Sequence, residues 1–409
     1  MKKNLLLIAA FITGGYAFAQ VTDTVSMGAG YGNENYYTLN NGNEVAVVRN
    51  DWDLAFASDG VGGASSTIRI NGPMGVELYK YSNSIGDWST VDTTGFAWSA
   101  NQLVDSEESW TVGAFNNIAP VSGFDLGWGT YSTTTHIVTG DRIFILKLAA
   151  GNYKKLIINT LSSGVYSFQY ADLNGSNLVN TTITKSNYSG KNFGYYSIQN
   201  TASLDREPVS SSWDLLFTKY ITDLGIYYGV TGVVANVGVE VAQVYPVNDV
   251  NTESHLGQSY TPNITTIGYD WKQYTGTYVI EDSLVYFVEV PNADIYRIIF
   301  TGFGGSSTGD FIFTKELVGT VGIEEDVEES EILSVYPNPV SDIVNVTFIG
   351  SNNTQISIYD VTGKQVFEKN SSNTGLTQEK IDVSNLKKGI YFLMLTTAKN
   401  KSTQKIIVQ

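Results

Sequence analysis

The sequence predicts an all-β protein, with two repeated antiparallel β-domains followed by a C-terminal immunoglobulin-like β-sandwich. Three observations lead there. The 409 residues include 26 Tyr, 18 Phe, 7 Trp and 40 Gly, and only 16% are charged, a composition that favours pleated, half-buried strands over solvated helices. Short β-branched and aromatic runs alternate with turn-forming Asn, Gly, Ser and Pro clusters. No long stretch carries the 3.6-residue apolar period of a surface helix.

Residues 1–19 read as a signal peptide. Lys2-Lys3 supply the positive region, Leu5 to Ile12 the apolar run, and Ala17-Phe18-Ala19 a small-x-small cleavage site before Gln20. That run is too short to anchor the chain, and no later segment has the roughly 18 apolar residues of a membrane span, so no transmembrane segment is expected once the signal is removed. Cysteine is absent, which excludes disulfides, thiolate metal sites and a lipidated N-terminal cysteine.

Residues 20–320 read as one β-domain written twice, split near Lys185 into 20–184 and 185–320. Tyr36-Tyr37-Thr38-Leu39 precedes Trp52-Asp53-Leu54-Ala55-Phe56 as Tyr195-Tyr196-Ser197-Ile198 precedes Trp213-Asp214-Leu215-Leu216-Phe217. Gly75 to Leu78 then answers Gly238 to Val241, Arg142 to Leu146 answers Leu284 to Val288, Tyr153 to Asn159 answers Ile295 to Thr301, and Gly164 to Phe168 answers Gly309 to Phe313. The first copy is longer by an insertion over 82–140 that carries Trp88, Trp98, Trp110 and Trp128. Strand alternation puts Trp52, Leu54 and Phe56 on one face, and Trp213, Leu215 and Phe217 likewise. Burying such a trio contributes about 6 kcal/mol at about 2 each. Asp53 and Asp214 then point the other way, to bond a neighbouring turn or amide. Neither copy supplies a histidine or second carboxylate in an acid–base motif, so these are structural aspartates.

An acidic linker, residues 321–331, follows. Six carboxylates crowd Glu324 to Glu331 and repel one another into a solvated segment. The run has no glycine turn or alternating ligands for calcium. The chain carries −16 overall and the tail is net basic, leaving −21 on residues 20–331. Such a surface excludes nucleic acid as a partner.

Residues 332–409 form the sandwich, with strands over Ile343 to Phe348, Gln355 to Tyr359 and Ile390 to Leu395. Its blocks are Tyr336-Pro337-Asn338-Pro339, Asp360-Val361-Thr362-Gly363-Lys364, Lys388-Gly389-Ile390-Tyr391 and the closing Lys405-Ile406-Ile407-Val408-Gln409. In order and spacing these resemble the type A sorting domain of the type IX secretion system. The resemblance implies export by that machinery to the cell surface or the medium, with Tyr336, Pro337, Asn338, Pro339, Gly363, Gly389, Tyr391 and Lys405 as the sorting motif.

The Tyr-Tyr and Trp-Asp blocks, with the closing segments Val285 to Val288, Ile295 to Phe300 and Phe311 to Thr314, resemble the HmuY-like haem-binding proteins. That resemblance implies a secreted or surface β-protein that captures haem. The type member of that family ligates iron with two histidines of one domain, whereas this chain has His136 and His255, one per copy. Bis-histidine ligation would need the two domains to share a site. Met74 and Met27 are thioether candidates.

The alternative is a non-enzymatic adhesin or carbohydrate-binding protein, using Trp88, Trp98, Trp110 and Trp128 to stack on a glycan or partner. Enzyme chemistry is not expected. No Gly-x-Ser-x-Gly elbow occurs, and Gly302 to Gly309 lacks a P-loop lysine. Glu107-Glu108 offers no assignable partner carboxylate. Asp23-Thr24-Val25, Asp92-Thr93-Thr94 and Asp282-Ser283-Leu284 resemble O-glycosylation sequons of exported proteins.

Overall fold

The computed structural model describes residues 20–320, 332–350, 354–372, 375–396 and 401–409. The signal peptide and the acidic linker lie outside the described residues. The chain divides into two units, 1–321 and 322–409, and the described elements are nearly all antiparallel strands, as the composition predicts.

The first unit holds two cores, each between a four-stranded sheet and a larger one. In the first core, the sheet Ala202–Leu204, Phe193–Ser197, Leu54–Ala57, Ile68–Ile70 faces one built on Val179–Thr184, Val165–Asp172, Tyr153–Ser162, Ile143–Lys147 and Glu77–Ser82. Leu54, Phe56, Phe144, Tyr166, Phe168 and Tyr196 fill the space between them. In the second, the sheet Glu44–Val48, Asn33–Tyr37, Leu215–Asp223, Tyr227–Ala235 faces Val21–Ser26, Asp310–Thr320, Asp294–Phe303, Val285–Glu289 and Glu240–Val244. Tyr37, Leu215, Phe217, Trp271, Phe300 and Phe313 fill this one.

Matching sequence blocks occupy matching strand positions, yet the two cores do not coincide with the two sequence copies. The strand holding Tyr36-Tyr37 pairs with Leu215–Asp223 of the second copy, and that holding Tyr195-Tyr196 pairs with Leu54–Ala57 of the first. Residues 21–48 therefore close the second core, where Val21–Ser26 pairs with Asp310–Thr320. Lys315, 8% exposed, anchors this closure through Nζ, reaching Asp23 Oδ2 at 3.0 Å, the Tyr37 hydroxyl at 2.6 Å and the Leu39 carbonyl at 2.8 Å. Gly309 fixes the other end of the strand. It sits at φ 76°, where a Cβ would fall 2.4 Å from the Gly28 carbonyl oxygen, and its own carbonyl accepts from Met27 N.

The expected Trp52–Leu54–Phe56 face needs correction. Strand geometry starts at Leu54, so alternation does not extend back to Trp52. Trp52 packs with Ala55 and Ala57 on the opposite face of the sheet from Leu54 and Phe56. Trp213 likewise leaves Leu215 and Phe217 and packs with Tyr36 and Leu216. The insertion covers the first core, where Phe115, Trp128 and Val138 are buried.

The second unit is the sandwich expected from the sequence. A sheet of Ile332–Tyr336, Ile343–Gly350 and Gly375–Asp382 opposes one of Gln365–Ser371, Thr354–Asp360, Gly389–Thr396 and Lys401–Val408 around Val344, Val346, Ile358, Leu393 and Ile406. Of the residues read as the sorting motif, Asn338, Gly389 and Tyr391 bond or pair with the last strand. Asn338 Nδ2 donates to the Lys405 carbonyl at 2.8 Å and Asn338 Oδ1 accepts from Ile407 N at 2.9 Å. Gly389 pairs with Val408 and Tyr391 with Ile406. Gly363 sits at φ 83° in the turn between Thr354–Asp360 and Gln365–Ser371.

Candidate functional site

The outer faces of the two four-stranded sheets meet between the cores. Each sheet brings a tyrosine and a tryptophan from different sequence copies. Trp213 lies edge-on to Tyr36 at 4.9 Å, and Trp52 edge-on to Tyr195 at 5.0 Å. The two aspartates set this register. Asp53 Oδ2 accepts from Ile198 N at 2.7 Å and Gln199 N at 3.3 Å, and Asp214 Oδ2 from Leu39 N at 2.7 Å. Each carboxylate thus holds the end of the Tyr-Tyr strand of the other copy. They bond amides, as expected.

A cavity of about 250 Å³ lies among these faces. Trp110, from the insertion, joins the two sides: it packs with both aromatic clusters, and its Nε1 donates to the Ala235 carbonyl at 2.8 Å. Nearby, the backbone carbonyls of Glu107 and Glu108 accept from Thr265 Oγ1 and Ile264 N. The insertion thereby straps the first core to the second.

Most charged groups along the cavity are engaged. Glu34 accepts from Arg206 Nη1 at 2.5 Å and from the Thr218 hydroxyl at 2.8 Å, and Arg206 Nε lies 3.1 Å from Asp51. Arg69 donates to the carbonyls of Ser109 and Ser106. Glu207, 2% exposed, accepts from Asn192 N and from the Tyr195 hydroxyl, both at 2.8 Å. Burial pushes its carboxyl up to about 7, and those hydrogen bonds with the Arg206 charge only partly oppose the rise.

Four residues of the lining each carry a buried polar atom without a hydrogen-bond partner: Arg49 Nη1, Trp52 Nε1, Trp213 Nε1 and Asn192 Oδ1. Three donors and one acceptor in an aromatic enclosure can orient a polar ligand.

Of the seven candidate ligand-binding residues read from the sequence, Trp110 alone lines this cavity. The iron-ligand candidates stay apart. His136 sits in an exposed turn at φ 57°, with Nδ1 2.8 Å from the Tyr131 hydroxyl. His255 packs beside Phe287 and the backbone of Gly319, where burial and then the Arg297 charge lower its pKa. The Met74 thioether accepts from Arg49 Nη2 at 2.7 Å, and Met27 is buried in the second core. Trp128 is fully buried, with Nε1 bonded to the Ser66 carbonyl, so it is core and not a contact surface. Trp88 lies under Lys155 Nζ at 4.8 Å, and Trp98 packs edge-on to Tyr79 at 4.9 Å. Among the described residues there is no cluster of three or more His, Asp or Glu able to hold a metal, and no helix long and apolar enough to cross a membrane.

Arg49, Asn192 and Glu207 escape sequence reading, because they converge only when strands exchange between copies. The usable signal was the pair Trp52 and Trp213, repeated just ahead of a strand instead of within it.

Residues 334–409 match the secretion system C-terminal sorting domain. That tail addresses the chain to the type IX secretion machinery, and so to the cell surface or the extracellular space. Among curated proteins, a 96-residue stretch is 35% identical to Beta-agarase D of Zobellia galactanivorans, covering 23% of this chain and 19% of that protein. The chain thus spans about a fifth of that relative, and a match of this length cannot cover the two-core unit. Two solved structures show weak likeness. One is dimeric latent PorU from Porphyromonas gingivalis, with TM-score 0.18, 12% identity, and 67% of this chain and 31% of that one covered. The other is the BSP domain of a biofilm associated protein, with TM-score 0.17, 11% identity, and 98% and 68% covered. Neither bears on fold or ligand.

Proposed function

We propose that this chain, exported through its sorting domain, is a non-enzymatic binding protein that holds a small polar organic ligand of sugar size between its two cores. The unpaired donors Arg49 Nη1, Trp52 Nε1 and Trp213 Nε1 carry the reading. Buried polar groups are nearly always paired in native proteins, and a ligand rich in hydroxyl or carboxyl oxygens would pair these. The surrounding indole and phenol rings suit the apolar face of a pyranose. Binding in place of catalysis is supported by the state of the carboxylates. Glu34 and Glu207 are committed to Arg206, Thr218, Tyr195 and a backbone amide, so these two do not form a free acid–base pair. The shared strand order supports reading the two copies as HmuY-like domains, in which His136, His255 and Met74 do not converge on one haem.

Titrating the mature chain with neutral and acidic monosaccharides should change its tryptophan fluorescence saturably for at least one sugar, because Trp52, Trp110 and Trp213 line the cavity. Haemin should give no saturable Soret shift. A flat response to every sugar, or a stoichiometric haem spectrum lost on changing His136 or Met74, would replace this reading.

A further inference from the structure

The charges along the cavity narrow the ligand class, an inference that rests on the binding role just proposed. Arg49 is only 7% exposed. Its Nη2 meets a neutral thioether at 2.7 Å and its Nη1 meets nothing. No ion pair between Arg49 and a carboxylate occurs among the described residues. Lys219, also in the lining, forms no ion pair there either, and its Nζ lies 5.8 Å from the Tyr31 ring centre. Burial first, and then the Arg49 charge, lowers the Lys219 pKa, which places the two cations within each other's field.

Four of the five carboxylates of the same lining are matched already. Glu34 pairs with Arg206, Glu77 with Lys147, and Asp105 with Arg69 and the amides of Ile70 and Ala114. Glu207 is held by Tyr195 and Asn192. Glu107 is the exception: half-buried in the lining, it forms no ion pair among the described residues. Burial lowers the Arg49 pKa, and the field of Glu34, itself bonded to Arg206, only partly opposes it. A guanidinium so placed is costly, and its planar fork fits an oxyanion with two parallel hydrogen bonds.

We propose that the ligand is an acidic saccharide whose oxyanion, a carboxylate or a sulfate ester, docks on Arg49 and Lys219 while its ring packs against Trp52, Trp110 and Trp213. A single sugar acid fits the cavity's size, and its hydroxyl oxygens are acceptors for the two free indole N–H groups. Arg49 and Lys219 are thus the cations of the lining without an ion-pair partner among the described residues, set in a chain whose net charge is −16.

The test uses the mature chain with glucuronate, glucose and glucose 6-sulfate, read by tryptophan fluorescence and calorimetry. Glucuronate or the sulfated sugar should bind at least about tenfold more tightly than glucose, and R49Q should lose about that factor, as expected for removal of a charge-assisted pair. Which of the two binds better identifies the oxyanion. R49K should retain part of the affinity, since charge remains and the fork does not. The unliganded R49Q protein should keep or raise its Tm, because the cost of burying that charge outweighs the Glu34 field upon it. Equal binding of glucose and glucuronate, with R49Q unchanged, would overturn the oxyanion assignment and leave the cavity reading standing. No response to any of the three sugars would overturn both. A Tm well below wild type in unliganded R49Q would mark Arg49 as structural and also overturn the assignment.

Discussion

Glu207 holds a proton more tightly in the folded chain than it would in water, and the cause is burial. Its pKa of about 7 stands above the ordinary 4.5. Between those values the folded state binds more protons than the unfolded chain, so stability falls as pH rises. The contribution is fully present below about 4.5 and is lost as pH passes 7, a change of about 3 kcal/mol. In E207Q that decline should disappear, which thermal melts across the window would register. Parallel melting profiles for wild type and E207Q would show that the carboxyl titrates normally. Asp53 and Asp214, by contrast, are position-setting groups. Their bonding to a neighbouring turn or amide was legible in the repeated Trp-Asp block, where strand alternation predicts that each aspartate turns away from its Trp, Leu and Phe neighbours.

At the scale of elements, the decisive feature is that the strands carrying Tyr36 and Tyr195 change places between copies. Asp23, Tyr37 and Lys315 tie the exchanged N-terminal strand to the closing one. D23A should lower stability by about 1 to 2 kcal/mol, discounted because the Asp23 side chain is 32% exposed. In a double-mutant cycle K315M should add less to D23A than it costs alone. Additive effects in urea unfolding would mean the pair is not coupled. The strands themselves were legible, since alternation and turn residues are local signals. Their partners were not. A duplicated sequence fits paired or exchanged strands equally well, because each copy offers the same complementary edge. Trp52 was misplaced for a related reason: period-two counting assumes that the strand has begun, and here it begins at Leu54. The cavity was invisible because residues 34, 49, 110, 192, 207 and 213 share no local pattern.

At the scale of the whole molecule, the tail is a unit with its own core and its own address. Deleting 332–409 should leave the two-core unit folded but held in the periplasm, as cell fractionation and surface proteolysis would reveal. Normal surface delivery of that truncation would refute the role of the tail. The N-terminal closure also imposes an order on synthesis. The first core has all its strands once residue 204 has been made, whereas Val21 must wait for Lys315, its partner across nearly the full unit. Such distant pairing is slow to form. The stretch that completes the second core immediately precedes the linker and the sorting domain in the chain. A polypeptide that terminates before Asp310 therefore lacks both the closing strand and the export address, so such unfinished copies are withheld from the surface by the same omission that leaves them open.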